Sequence, residues 1–89
     1  MDITFDSSKD AANVAKHGVS LADAMKLEWD DLQAVPDTRR SYGEIRMIGF
    51  APIEDRVFCV VFTDRGGTRR IISLRKANDR EAKSYASKV

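Results

Sequence analysis

Arginine and histidine side chains offer most of the chemistry in this sequence. The guanidinium groups of Arg46, Arg70 and Arg75 stay charged and can each hold two oxygens of a phosphate, so they suit a phosphodiester under attack. His17 is the only histidine, and its ordinary pKa lies near neutrality, which makes it the first candidate for a general acid or base. Structural roles are the alternative: ion pairs with carboxylates for the arginines, and capping of a helix C-terminus for His17.

Glu44 and Tyr85 are the remaining candidates for proton transfer. Glu44 could act as a base if partial burial raised its pKa, but Arg46, two residues further on, would lower that pKa by pairing with it. A structural Glu44–Arg46 pair on the sheet surface is therefore the alternative. Tyr85 could donate a proton or stack on a base, although its spacing with Ala82 and Ala86 predicts a place near the buried stripe of a helix.

The basic residues are concentrated towards the C-terminal end. Residues 1–64 contain seven Lys and Arg against twelve Asp and Glu, whereas residues 65–89 contain eight against two. This asymmetry suggests one surface that attracts polyanions, with nucleic acid the first candidate and a solvated charged face the alternative. The side chains expected to bind the nucleic-acid backbone, RNA binding included, without taking part in any chemistry are Lys16, Arg65, Arg69 and Lys76.

Length and composition narrow the class of protein. The 89 residues have room for a single domain, assigned to residues 1–89, and not for a second one that binds a cofactor. No apolar run approaches the ~18 residues that span a bilayer, and the acidic start lacks the features of a signal peptide, so we expect a cytoplasmic protein with no membrane association. Cys59 is the only cysteine, and no metal-ligand spacing is present, so we expect a buried thiol and neither metal nor other cofactor.

Apolar spacing and capping residues predict an α+β fold. In chain order the predicted elements are a strand at 3–5, a helix capped by Asp6 or Ser7 and ended by Gly18, a second helix from Ser20 to about Glu28, a weak strand at 32–35, strands at 44–50, 57–63 and 68–74, and a helix capped by Asn78 whose stripe includes Tyr85 and Val89. The continuously apolar segment 57–63 should be the central strand. We therefore expect a small antiparallel sheet packed with two N-terminal helices and one C-terminal helix.

Arg70 and Arg75 occur close together near the last predicted strand but have opposite parity. Alternate residues of a strand face opposite sides of the sheet. Both arginines therefore reach one site only if the strand ends or bulges before Arg75.

The order and the local sequences together resemble the BrnT family. The matching segments are Phe5-Asp6 with Lys9, Asn13, Lys16-His17-Gly18-Val19-Ser20, Glu44 with Arg46, Phe62-Thr63 with Arg65, Arg70-Ile71-Ile72-Ser73 with Arg75 and Ala77, and finally Glu81 and Tyr85. Each motif is weak alone, but their order and spacing together are specific. The chain departs from the family pattern in having no aromatic residue between Phe5 and Asp6, and in having Leu74 for an alanine and Leu21 for a phenylalanine; no polar candidate is lost.

The resemblance implies a RelE-like fold and a ribonuclease that arrests translation and growth as the toxin of a type II toxin–antitoxin pair. It also implies neutralisation by a ribbon-helix-helix antitoxin of the BrnA type, in a heterotetramer that contacts operator DNA only through the antitoxin. Cleaving RNA without metal needs a base for the ribose 2′-hydroxyl, cations for the phosphorane and an acid for the leaving 5′-oxygen. The alternative is a non-catalytic RNA- or protein-binding module that acts only within an antitoxin repressor complex, and RNA cleavage would decide between the two.

Overall fold

A five-stranded mixed sheet forms the centre of the fold in the computed structural model, which describes residues 1–39, 41 and 43–88. Its strands are β1 (Asp2–Thr4), β2 (Gln33–Pro36), β3 (Met47–Ile53), β4 (Arg56–Arg65) and β5 (Thr68–Lys76), in the spatial order β1-β5-β4-β3-β2. The helices are α1 (Ser7–His17), a 3-10 helix (Leu21–Lys26), a 3-10 turn (Trp29–Asp31) and α2 (Asp79–Ala86). The predicted α+β class, with two helices near the N-terminus and one at the C-terminal end, is confirmed.

The prediction of a purely antiparallel sheet is wrong at one edge. Strands β2 to β5 pair antiparallel, but β1 pairs with β5 in parallel, from Asp2 opposite Thr68 to Thr4 opposite Arg70. A tight turn forces neighbouring strands to run antiparallel, whereas a long connection allows either direction. Most of the chain lies between β1 and β5, so nothing local fixes their relative direction.

Most strands differ from their predicted bounds by one or two residues, and two elements show changes that have a physical reason. Strand β3 begins at Met47 rather than Glu44 and continues to Ile53. The Thr63 hydroxyl donates a hydrogen bond to the Ile45 carbonyl over 2.8 Å, so a side chain replaces the backbone partner there, and Ile45 is left 74% exposed. The second predicted helix is a short 3-10 helix that stops at Lys26, two residues before the predicted end.

Helix ends form where the capping residues predict them. The Asp6 carboxylate accepts hydrogen bonds from the first turn of α1, and Gly18 ends that helix in the left-handed conformation, with φ of 71°. Ser20 caps the 3-10 helix. Asn78 and Glu81 form a reciprocal capping box on α2. Val89, predicted to continue the apolar stripe of α2, lies outside the described residues.

Strand β4 is the central strand, as predicted, and is buried on both faces. On one side, which we call the core face, Phe58, Val60 and Phe62 belong to the main hydrophobic cluster together with residues of the 3-10 helix. On the other side lie Cys59, Val61 and Thr63. Burial raises the pKa of the Cys59 thiol, in agreement with the predicted buried cysteine.

Asn13 of α1 is buried and completes the edge of β5 beyond the end of β1. Its side-chain amide donates to the carbonyls of Leu74 and Val19, each over 2.8 Å, and its oxygen accepts from the Leu74 N–H over 3.2 Å. The Asn13 amide therefore satisfies both backbone hydrogen-bonding groups of Leu74, as a neighbouring strand would. This contact fixes α1 against β5. None of the described helices is both long enough and apolar enough to cross a membrane.

Candidate active site

An irregularity in β5 brings the predicted arginines to one face of the sheet. The register pairs Thr63 with Arg70, Val61 with Ser73 and Cys59 with Arg75. The first two of these partners are three residues apart on β5 but two apart on β4, so Ile72 is the extra residue of a β-bulge. Because of this extra residue, Arg70 and Arg75 face the same side of the sheet despite their opposite parity. From the sequence, this arrangement required an end or a bulge of the strand before Arg75. We call the side that bears Arg70, Ser73 and Arg75 the arginine face.

Helix α1 brings His17 and Lys16 to the edge of this face. A cleft of about 210 Å³, which we call the α1 cleft, lies between α1 and β5. Its lining residues are Lys9, Ala12, Asn13, Lys16, His17, Ile72 and Ser73. Burial, and then the charges of Lys16 and Arg75, lower the pKa of His17 below its ordinary 6.5. The imidazole is therefore mostly neutral at pH 7 and able to accept a proton.

Arg75 is held by Glu81 of α2 in a two-pronged ion pair. Its Nη1 and Nη2 atoms donate to the two Glu81 oxygens over 2.8 and 2.9 Å. This pairing, together with the Asn78 N–H, lowers the pKa of Glu81 to about 2. The sequence predicted Glu81 only as part of a helix cap; its pairing with Arg75 depends on how α2 docks and has no local signal.

Arg70 is engaged far more weakly. Its Nη2 lies 3.9 Å from the nearest Asp6 oxygen, too far for a hydrogen bond, and one third of its side chain is exposed. Asp6 is meanwhile occupied with Ser8 and Lys9 at the start of α1. No hydrogen bond joins the Arg70 guanidinium to another part of the described chain, so it is available for a ligand.

Glu44 is an ionised carboxylate beside Thr63. It accepts hydrogen bonds from Arg65 Nη2 and Nε, over 2.7 and 3.1 Å, and from the Thr63 hydroxyl over 3.4 Å. These contacts, Arg65 first, lower its pKa, and the charge of Arg46 adds to the effect. Partial burial does act to raise this pKa, but the contact with Arg65 outweighs it, so the suggestion of a raised pKa is wrong. Its hydrogen-bonded partner is Arg65, whereas the sequence suggested Arg46.

Two of the predicted RNA-binding residues lie on the core face instead. Arg69 donates two hydrogen bonds to Asp64, over 2.8 and 3.0 Å, and its guanidinium lies 4.8 Å from the ring centre of Trp29 and 4.3 Å from that of Phe62. Lys76 is opposite Phe58 in the register, so it has the same orientation as Arg69. The structure separates both residues from Arg70 and Arg75.

Tyr85 is buried, in agreement with the core alternative. Its hydroxyl donates a 2.7 Å hydrogen bond to the Asp31 carbonyl, and burial raises its pKa. It lines an apolar groove between α2 and the β2–β3 edge, together with Gln33 and Phe50, rather than the α1 cleft. In contrast, Lys9 and Ser73 line the α1 cleft although the sequence singled out neither as a site residue. Only the bulge and the docking of α1 bring these two side chains together.

These features define a small α+β protein with a basic site suited to a phosphodiester. Residues 5–81 match the model of the family described as the ribonuclease toxin, BrnT, of type II toxin–antitoxin systems. The chain belongs to this family, which implies an antitoxin partner. A comparison with curated proteins gives no significant match.

Proposed function

We propose that this chain is a metal-independent endoribonuclease toxin whose active site is the arginine face together with the adjoining α1 cleft. The observation that carries the proposal is the bulge at Ile72, which gives Arg70 and Arg75 a common orientation, with Arg75 near enough to His17 to lower its pKa. Two guanidinium groups can stabilise a pentavalent phosphorane without a metal ion. Family membership supports the ribonuclease activity itself.

In the proposed reaction His17 takes the proton of a ribose 2′-hydroxyl. The 2′-oxygen attacks phosphorus, the bond from phosphorus to the 5′-oxygen breaks, and the products are a 2′,3′-cyclic phosphate and a 5′-hydroxyl. Arg70 and Arg75 neutralise the charge on the phosphorane oxygens. We assign the proton of the leaving oxygen to water, because Glu44 is held in its ionised form and the Tyr85 hydroxyl is bound to Asp31.

The other basic residues of this side have supporting roles in the proposal. Arg46 adds positive charge next to Glu44, as its effect on the Glu44 pKa indicates. Lys16 lines the cleft beside His17 and binds the RNA backbone. Arg65, more than half exposed, can exchange its Glu44 contact for a phosphate. Such contacts bind RNA in a salt-dependent manner and carry no sequence specificity.

Cleavage of an RNA oligonucleotide in EDTA tests the chemistry. We expect cleavage to persist in EDTA, to leave cyclic phosphate ends, and to stop when the nucleotide at the cut carries a 2′-deoxyribose. A requirement for added Mg²⁺ would contradict metal independence. Binding without cleavage at any protein concentration would favour the non-catalytic alternative.

The pH profile of the same reaction separates the two candidate bases. With His17 as the base, the rate falls as the pH drops through the lowered pKa of the imidazole, because the protonated ring cannot accept a proton. With Glu44 as the base, the rate would persist to below pH 4.5. His17→Ala should abolish cleavage, whereas Glu44→Gln should retain it; the reverse result would exchange the two roles.

We further propose that a ribbon-helix-helix antitoxin neutralises the toxin in a complex of two toxins and two antitoxins. The family supports an antitoxin partner, and an antitoxin dimer offers two equivalent toxin sites. Co-expression with the product of the adjacent small gene, followed by light scattering on the purified complex, tests this. A complex with unequal numbers of the two chains would contradict the proposed stoichiometry.

A further inference from the structure

We propose that the α1 cleft binds a second phosphate of a single-stranded RNA, next to the phosphate that is cleaved, through Lys9, Lys16 and Ser73. This inference rests on the proposed function, since it names the substrate contacts that adjoin the same site. Lys9 and Ser73 have no part in the proposed chemistry. A phosphate subsite in the cleft gives them a role in binding the substrate.

The cleft holds hydrogen-bond donors that the described part of the chain does not use. The ammonium groups of Lys9 and Lys16 and the hydroxyl of Ser73 donate to no other described residue, and no carboxylate is among the residues that line the cleft. Four arginines elsewhere do have a carboxylate partner within 2.8 Å: Arg39 with Asp37, Arg65 with Glu44, Arg69 with Asp64 and Arg75 with Glu81. The charge of the two lysines is thus left for an anion that the chain itself does not supply.

The nearby carboxylates are committed to other contacts. Asp6 caps the first turn of α1 through the N–H groups of Ser8 and Lys9. Asp10 accepts hydrogen bonds from the Ser20 hydroxyl over 3.0 Å and from the Leu21 N–H over 2.7 Å. Asp6 therefore stabilises the start of α1 and Asp10 the start of the 3-10 helix. Neither carboxylate forms an ion pair with a lysine of the cleft.

The placement of the donors allows them to converge on one phosphate. Lys9 and Lys16 are seven residues apart on α1, two turns or ~10.5 Å along the helix, and so extend from the same side of it. Ala12 lies between them, and its small side chain leaves space for a phosphate. Ser73 faces the two lysines from the bulged strand. Ser73 shares the arginine face with Arg70 and Arg75, so a phosphate in the cleft would adjoin the reacting one. The cleft, of about 210 Å³, has room for a phosphate of one strand.

The test measures binding of a fully 2′-O-methylated RNA oligonucleotide, which cannot be cleaved, at several salt concentrations. In a Lys9→Ala/Lys16→Ala variant we expect Kd to rise about tenfold at low salt and the slope of log Kd against log salt to fall by about 0.7, the value for one phosphate on a single strand. The matched control is Lys26→Ala/Lys83→Ala, which removes two exposed lysines from the 3-10 helix and α2. We expect the control to bind as wild type does.

A neutral linkage locates the contact along the strand. One methylphosphonate placed next to the cleavage position should weaken binding to wild type about as much as the double variant does, and should weaken binding to the double variant no further. An unchanged Kd and slope in the double variant, or an equal change in the control, would overturn the subsite. Ser73→Ala should raise KM and leave kcat unchanged; a loss in kcat instead would place Ser73 in the chemistry and overturn its assignment to the subsite.

The subsite and the proposed function can fail separately. If wild type binds but never cleaves an unmodified RNA, the catalytic proposal fails while the double variant still reports on the subsite. If wild type cleaves and the double variant matches it in Kd and slope, the subsite alone fails.

Discussion

The two faces of β5 use neighbouring arginines in opposite ways. On the core face, Arg69 forms two hydrogen bonds to Asp64 and lies over the rings of Trp29 and Phe62, so the protein itself engages the guanidinium. On the arginine face, Arg70 has only a 3.9 Å contact with Asp6. The same residue type therefore stabilises the fold on one side and is available for a ligand on the other. Orientation, more than charge, distinguishes the two roles.

A large effect on the cleavage rate should also come from Arg75, whose neighbour Lys76 faces the other side of β5. Arg75→Ala should lower the rate of RNA cleavage by about 100-fold or more, because it removes a donor that faces the phosphorane. Lys76→Ala, on the core-face side, should change the rate by less than about threefold. Single-turnover cleavage measures both, and equal losses would mean that orientation does not decide function.

The attachment of α1 to β5 should have the largest effect on stability. Asn13→Ala should lower the free energy of unfolding by about 2–3 kcal/mol, because the N–H and C=O of Leu74 and the Val19 carbonyl lose a buried partner. Val14→Ala is the control, since Val14 is 46% exposed on the same helix and should cost well under 1 kcal/mol. Urea unfolding measures both variants. Equal costs would show that Asn13 is not what joins the helix to the strand.

Arg69 should contribute more than Arg70 to the free energy of unfolding. Arg69→Ala should cost about 1–2 kcal/mol through the lost ion pair and ring contacts, whereas Arg70→Ala should cost less than about 0.5 kcal/mol. Thermal and urea unfolding of the two variants give the comparison directly. A larger loss for Arg70 would reverse the assignment of the two faces.

The ion pair of Arg75 with Glu81 should make a smaller, pH-dependent contribution. The pKa of Glu81 is about 2 in the folded chain, below its ordinary 4.5, so the carboxylate stabilises the fold above pH 4.5 and loses this effect as the pH falls towards 2. Glu81→Gln should therefore cost about 1 kcal/mol at pH 7, a figure reduced for partial exposure of the pair, and nothing near pH 2. Unfolding from pH 7 to 2 tests this, with Glu28→Gln as an exposed control; a cost independent of pH would contradict the ion pair.

Local signals in the sequence predicted local structure well. Asp6, Gly18 and Asn78 mark helix ends because each satisfies backbone groups within a few residues of itself. The apolar run of β4 identifies the central strand for a similar reason: burial on both faces requires apolar side chains at every position. The candidate arginines were also recognisable, since their type alone suits phosphate.

Long-range contacts could not be predicted in the same way. The parallel pairing of β1 with β5 depends on residues far apart in the chain. The bulge at Ile72 and the docking of α2 that joins Glu81 to Arg75 involve nearer residues, but they depend on how whole elements pack, which no capping residue or apolar pattern specifies. Alternation does predict that Arg69 and Arg70 face opposite sides. It does not say which side is the core, because Ile71 and Ile72 supply apolar side chains of both parities.

The most direct test of the account compares Arg70→Ala with Arg69→Ala in single-turnover cleavage of one RNA oligonucleotide in EDTA, with each rate divided by the folded fraction of the variant. We expect Arg70→Ala to lose about 100- to 1,000-fold, as removal of a group that stabilises developing charge does, and Arg69→Ala to remain within about threefold of wild type. Equal losses in both variants, or a loss confined to Arg69→Ala, would contradict an active site on the arginine face.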